Sequence, residues 1–90
     1  MKRVKIIIEG RVQGVGFRCF TARAALKLDI KGFVKNNYDG TVEVVAQGDN
    51  SNIGLFILEI RKGPSSSFVT GFDIISTESK NNFTSFDITY

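Results

Sequence analysis

The sequence contains no histidine, and its 90 residues include one cysteine and one proline. Without histidine and with a single thiol, the common zinc sites have no ligand set. The Ser-His-Asp and Cys-His arrangements that activate nucleophiles are absent for the same reason. The sequence therefore excludes imidazole-based proton transfer from the chemistry of this protein.

The single cysteine, Cys19, cannot form an intramolecular disulfide, and a lone thiol fits a reducing compartment. No apolar run approaches the roughly 18 residues that a membrane-spanning helix needs. The apolar stretch near the start, residues 6–8, is too short for a signal peptide. We therefore expect a cytoplasmic protein with no membrane partner.

The composition is that of a folded globular chain, with 42% hydrophobic and 23% charged residues. Its length predicts one domain over residues 1–90. The net charge of +3 is unevenly distributed: residues 1–36 hold nine basic and two acidic side chains, and residues 37–90 hold three and seven. The basic first third either steers an anionic ligand or is a set of solvated lysines, and charge alone leaves both open.

Hydrophobic periodicity predicts an α+β fold. Strand-like segments occur at residues 4–8, 30–35, 41–47 and 68–76, with a short fifth one at 86–90. Apolar side chains at three- and four-residue spacing predict two helices, over 17–28 and from about 49 to 62. This order predicts a ferredoxin-like βαββαβ sandwich: an antiparallel sheet of four strands plus a short C-terminal strand, with two helices on one face.

Four local features sharpen this prediction. Asp29 falls where the first helix ends and suits a left-handed conformation. Gly71 lies in the segment 68–76 and indicates a β-bulge, whereas Gly54 weakens the second helix. The segment 36–40 has the composition of a hairpin turn. Four aromatic side chains are predicted to lie in the core: Phe17, Phe33, Phe56 and Phe86.

The loop between the first strand and the first helix has three glycines within residues 10–16. Glycines at such spacing let successive backbone N–H groups turn inward and form a nest for an anion, next to the positive end of the helix. Arg18, in the first helical turn, would add a guanidinium that suits phosphate oxygens. The known nucleotide-binding glycine motifs do not match, and a purely structural tight turn remains the alternative.

The loop is part of a longer pattern that resembles the signature of the acylphosphatase family. Residues 10–18 (GRVQGVGFR) carry the first part, and residues 32–36 (GFVKN) with 39–44 (DGTVEV) carry the second. Gly48 before the second helix and the Gly-Pro pair at 63–64 after it also match. The resemblance covers essentially the whole chain.

This resemblance implies an enzyme that hydrolyses the carboxyl-phosphate bond of small acyl phosphates without a metal or a cofactor. Arg18 matches the catalytic arginine that holds the phosphoryl group, and Asn36 matches the catalytic asparagine that orients the attacking water. The resemblance also implies that backbone amides bind the phosphate, namely those of Gln13, Gly14, Val15, Gly16, Phe17 and Arg18.

Elementary chemistry explains why so few groups suffice. The leaving group is a carboxylate with a pKa near 4–5, so its departure needs little help from a general acid. Phosphoryl transfer needs mainly positioning and charge stabilisation, which an arginine and fixed N–H dipoles supply. An alkyl phosphate ester is accordingly expected to be a poor substrate.

Other polar residues near these motifs have structural interpretations. Asn37 suits the hairpin turn, and Arg11 and Cys19 are expected to be a solvent-facing side chain and an inert helix residue. Three carboxylates are assigned to turns and strand surfaces rather than to general-base roles: Asp39, Glu43 and Asp73.

Two other functions remain as alternatives to a free-standing, monomeric enzyme. The first is a module that binds acyl or carbamoyl phosphate for a larger assembly, because similar domains begin the carbamoyltransferases of hydrogenase maturation; the end of the sequence at Tyr90 disfavours it. The second is RNA binding, since RNA-recognition domains share the strand-helix order. Their sheet-face aromatic motif is missing, so we expect no nucleic-acid partner.

Overall fold

The computed structural model describes residues 1–78 and 82–90, and it has seven regular elements. Five are strands: β1 (Lys2–Arg11), β2 (Lys31–Asn36), β3 (Val42–Gly48), β4 (Phe68–Thr77) and β5 (Phe86–Thr89). Two are helices: α1 (Phe17–Lys27) and α2 (Asn50–Lys62). The predicted order of strands and helices is confirmed.

The strands form one sheet in the order β4-β1-β3-β2-β5. The first four pair antiparallel, as predicted. The short last strand, however, runs parallel to β2, so the sheet is mixed and the prediction of an antiparallel sheet is wrong for β5. Alternating apolar residues in a strand decide which face is buried, but they carry no information on which edge the strand joins or in which direction.

The core lies between the sheet and the two helices. Alternate residues of β1, Val4, Ile6 and Ile8, are fully buried and pack with Phe17 of α1 and Phe56 of α2. Burying a side chain of this size contributes about 1.5–3 kcal/mol, so a dozen of them stabilise even a small domain. Both helices therefore cover one face of the sheet, as predicted.

Two of the four aromatic side chains predicted to be core are buried, Phe17 and Phe56. Phe86 lies at the margin of the core, with its ring centroid 6.1 Å from that of Phe56. Phe33 points to the opposite face of the sheet and contacts Phe83, because its neighbours Gly32 and Val34 take the helix-facing positions. The prediction for Phe33 is wrong because the two-residue period of a strand places Phe33 on the face opposite to that of Gly32 and Val34.

Local backbone features agree with the sequence. Asp29 has a φ of 55° directly after α1, as its position indicates. The pairing of β1 with β4 shifts between Glu9 and Gly10, which leaves Thr70 as the extra residue of a bulge beside Gly71. The added twist turns the end of β1 into the loop that precedes α1.

Gly54 provides a test of the second helix. It is exposed, and a Cβ built on it would meet no other atom within 4 Å. Gly54→Ala is therefore expected to raise the free energy of unfolding by about 1 kcal/mol, measured by urea denaturation. Gly63→Ala is the matched control, because its φ is 68° and its Cβ would collide with Ser67; it is expected to destabilise by more than about 1 kcal/mol. A Gly54→Ala variant less stable than the parent chain would contradict this description of α2.

Candidate active site

The loop between β1 and α1 is held at both ends by buried side chains. Val12 and Phe17 are each 1% exposed, while Gly14 and Gly16 between them face solvent. The two glycines have φ values of 73° and 80°, and Asp29 is the one non-glycine residue with positive φ in the described ranges. The sign of φ therefore alternates along residues 13–16, which is the pattern of an anion-binding nest.

The backbone amides of residues 13–18 are free to bind a ligand. Within residues 1–78 and 82–90, none of them donates to a carbonyl or a side chain. Three of them, those of residues 16–18, belong to the start of α1, where N–H groups lack intrahelical acceptors and carry partial positive charge. The first turn of α1 has no acidic residue, and its N-cap, Gly16, has no side chain to accept a bond. The amides thus form a cluster of donors without a protein partner in the described ranges.

Arg18 stands beside this cluster with its charge uncompensated. Its Cζ lies 4.6 Å from the centroid of the Tyr90 ring, and its Nη1 donates to the carbonyl oxygen of Thr89 over 3.4 Å. No carboxylate of the described chain forms an ion pair with it. Because Thr89 pairs with Lys35 in the sheet, this contact brings the guanidinium close to the end of β2.

Asn36 is the last residue of β2 and is opposite the buried Val42 in the sheet. Its Oδ1 is buried, and no hydrogen-bond donor in the described part of the chain reaches it. A buried polar atom left unpaired costs about 1–3 kcal/mol, so an unsatisfied oxygen indicates a role other than stability.

The neighbouring Asn37 has the opposite character. Its Nδ2 donates to Thr41 Oγ1 over 3.0 Å and to Glu43 Oε1 over 3.4 Å, and its backbone N–H bonds the Thr41 carbonyl over 2.9 Å. Glu43 in turn lies 4.0 Å from Lys5 Nζ. These contacts agree with the prediction that Asn37 and Glu43 have structural roles.

Asp39 also stabilises the turn. Its Oδ1 accepts hydrogen bonds from Thr41 Oγ1 over 2.7 Å and from the Thr41 backbone over 3.0 Å. These bonds lower the pKa of Asp39 below its ordinary value of 3.8, so the carboxylate stays ionised in its turn role. A carboxylate with a lowered pKa that accepts two hydrogen bonds from Thr41 is poorly suited to act as a general base, which agrees with the turn role expected for Asp39.

Gln13 joins the loop to the turn that carries Asn36. Its side-chain Nε2 donates to the carbonyl oxygens of Asn37, over 2.8 Å, and of Thr41, over 2.9 Å. The family resemblance implies only a backbone contribution from Gln13, and nothing in the sequence indicates these bonds, because the partners are 24 and 28 residues away. The structure thus brings the loop, Arg18 and Asn36 to one end of the sheet.

The remaining surface offers less chemistry. A concavity of about 470 Å³ lies at the other end of β1, lined by Lys2 and Arg3 among others, far along the strand from the glycine loop. No helix in the described ranges is long and apolar enough to cross a membrane. Those ranges also hold no cluster of three or more side chains that are typical metal ligands.

Comparisons with known proteins agree with the geometry. The model of the Acylphosphatase family matches residues 4–88. An acylphosphatase of Geobacillus thermodenitrificans is 59% identical over 63 residues, which cover 70% of this chain and 67% of that protein. The crystal structure of acylphosphatase from Bacillus subtilis is 38% identical with a TM-score of 0.96, and the match covers 100% of both chains.

The fold also occurs within a longer protein. The crystal structure of HypF from T. kodakarensis is 30% identical with a TM-score of 0.88, and the match covers 99% of this chain but 12% of that one. The family match extends over nearly all of the described residues and includes both motifs. The resemblance indicated by the sequence is therefore confirmed: the chain belongs to the acylphosphatase family of enzymes.

Proposed function

We propose that this enzyme hydrolyses acyl phosphates at the loop between β1 and α1. The observation that carries the proposal is the set of unpaired backbone amides at residues 13–18, placed next to an arginine without an acidic partner. Amides and guanidinium together form the donor set that a dianionic phosphoryl group requires. Gln13, Gly14, Val15, Gly16, Phe17 and Arg18 contribute the amides, and the side chain of Arg18 contributes the charge.

Asn36 is proposed to position the nucleophile. Its buried, unpaired Oδ1 accepts a hydrogen bond from a water molecule and orients the water oxygen toward phosphorus. The water oxygen forms a bond to phosphorus while the bond from phosphorus to the carboxylate oxygen breaks. The carboxylate leaves with the electron pair, and the proton of the water passes to the phosphate product or to solvent.

The proposed mechanism needs no metal and no cofactor, because Arg18 and the amides supply the charge stabilisation. We also propose that the chain acts as a monomeric single domain in the cytoplasm on a small-molecule substrate, without a nucleic-acid partner. The free, exposed thiol of Cys19 is compatible with a reducing compartment. Sedimentation tests the monomeric state, and cell fractionation tests the cytoplasmic location.

The dependence of the rate on the leaving group tests the reaction. Benzoyl phosphate releases a carboxylate with a pKa near 4, whereas phenyl phosphate releases a phenolate with a pKa near 10. Because the proposed mechanism assigns no general acid to the leaving group, kcat/KM is expected to be at least about 10³-fold higher for benzoyl phosphate, in buffer containing a chelator. Equal rates for the two compounds would contradict the proposal.

The benzoyl phosphate assay also tests the alternative that this domain only binds acyl or carbamoyl phosphate. The similarity to a part of HypF is the reason to test it. A module of that kind would bind inorganic phosphate at the loop without turnover of benzoyl phosphate. Phosphate binding, measured by calorimetry alongside the rate, therefore distinguishes the two functions.

A further inference from the structure

The side-chain amide of Gln13 uses both of its hydrogens on the turn between β2 and β3. One bonds the Asn37 carbonyl over 2.8 Å and the other the Thr41 carbonyl over 2.9 Å. A flipped amide would place its oxygen against two carbonyl oxygens, so the network fixes its orientation. The side chain is half-buried, which limits competition from water.

These bonds add little that the turn itself requires. The Asn37 carbonyl already accepts a bond from the Gly40 N–H, and the Thr41 carbonyl accepts one from the Asn37 N–H. Removing the Gln13 amide therefore leaves neither carbonyl without a donor. What the bonds add is a connection between two separate segments, the phosphate loop and the turn next to Asn36.

We infer that Gln13 is a positioning residue that holds the phosphate loop in register with the amide of Asn36. The inference deepens the proposed function and rests on it. The loop contains two glycines with positive φ and is therefore easily deformed, whereas Asn36 stands on a regular strand. Gln13 sets the separation between the bound phosphoryl group and the oriented water, on which the rate of attack depends steeply.

A double-mutant cycle on kcat tests this coupling. Gln13→Met keeps the length of the side chain but removes its donors. We expect it to lower kcat for benzoyl phosphate by about 10- to 100-fold and to change KM by less than about 3-fold. In an Asn36→Ala background the same substitution is expected to change kcat by less than about 3-fold, because the group that it positions is gone.

Ser66→Ala is the matched control. Ser66 Oγ also holds the loop, donating to the Val15 carbonyl over 3.2 Å, but it connects the loop to the segment before β4 rather than to Asn36. Its effect on kcat is expected to be small and equal in both backgrounds. A second variant, Gln13→Glu, places a carboxylate against the two carbonyl oxygens and is expected to lower kcat at least as much as Gln13→Met.

A purely structural role predicts different results. Gln13→Met would then lower kcat equally with and without Asn36, or raise KM while kcat stayed unchanged, and either result overturns the inference. Unfolding midpoints within about 8 °C of the parent chain show that the variants are folded.

A titration with inorganic phosphate separates this inference from the proposed function. In the parent chain, phosphate is expected to shift the NMR signals of amides 13–18 and of the Asn36 side chain. In Gln13→Met the loop signals still shift, but those of Asn36 shift much less. Equal Asn36 shifts in both proteins overturn the role of Gln13, whereas absent turnover by the parent chain overturns the proposed reaction instead.

Discussion

Arg18→Ala is expected to lower kcat/KM for benzoyl phosphate by about 10³- to 10⁵-fold, the range for a single arginine that stabilises a transferring phosphoryl group. The reason is that, among the hydrogen bonds and ion pairs of the described residues, none brings a second cationic side chain to the loop, so no other charge is in place to substitute for Arg18. Arg18→Lys keeps the charge but loses the planar pair of donors, and it is expected to restore only part of the rate. Steady-state kinetics at constant ionic strength measure both effects.

Stability provides the first control on this result. The contact between Arg18 and the exposed ring of Tyr90 contributes about 0.5–1 kcal/mol, so the Arg18→Ala variant stays folded. Its loss of activity is then a loss of transition-state binding rather than of native protein.

Arg23→Ala is the matched control for position. Arg23 lies on the same helix, five residues further along, and lines a concavity with Phe20, Lys27 and Glu59 away from the loop. It is expected to leave kcat/KM within about 3-fold of the parent value. If Arg18→Ala retained more than a tenth of the activity, or if Arg23→Ala lost as much, the assignment of Arg18 would be wrong.

How well each part of this fold can be predicted from the sequence depends on whether local or long-range interactions form it. The helices and the four long strands follow from local periodicity, and the conformation of Asp29 and the bulge near Gly71 follow from residue type. The parallel pairing of β5 with β2 does not, because it depends on which sheet edge the last segment reaches. Local patterns set the face that a residue occupies, whereas strand neighbours are set by the whole chain.

In the candidate site, too, local features could be predicted from the sequence and long-range contacts could not. The glycine spacing in residues 10–16 indicates a nest, and the structure has the alternating φ values that such a nest requires. The side-chain bonds of Gln13 to a turn more than twenty residues away could not be predicted, since glutamine has no local signature for them. The sequence also could not show that the Oδ1 of Asn36 is unpaired while the Nδ2 of Asn37 is hydrogen-bonded, because this depends on tertiary contacts.

The site combines two kinds of electrostatic support. In the proposed mechanism, the backbone amides at the start of α1 are held by the helix that follows them, so they stabilise charge that develops on the phosphoryl oxygens with little reorganisation. The guanidinium of Arg18 is exposed but stacked on Tyr90, so its position is also restricted. In the proposed mechanism, such preorganisation takes the place of the metal ions that other phosphoryl-transfer sites use.

Asn36→Ala is expected to lower kcat for benzoyl phosphate by about 10²- to 10³-fold with little change in KM. In the proposed mechanism Asn36 orients the water and does not bind the phosphoryl group, so its removal is expected to affect the chemical step and not substrate binding. The free energy of unfolding is expected to stay the same or to rise by about 1 kcal/mol, because alanine removes a buried oxygen without a partner. Stability gained as activity is lost is typical of a residue retained for function.

Asn37→Ala tests whether this effect belongs to position 36. Its side chain holds Thr41 and Glu43, so its removal is expected to cost about 1 kcal/mol of stability. Its backbone carbonyl still accepts the bond from Gln13, so kcat is expected to stay within about 3-fold of the parent value. Asn36→Ala would then lower kcat without loss of stability, whereas Asn37→Ala would lower stability with little change in kcat. If Asn37→Ala lost more activity than Asn36→Ala, the water would have to be oriented from the turn rather than from the end of β2.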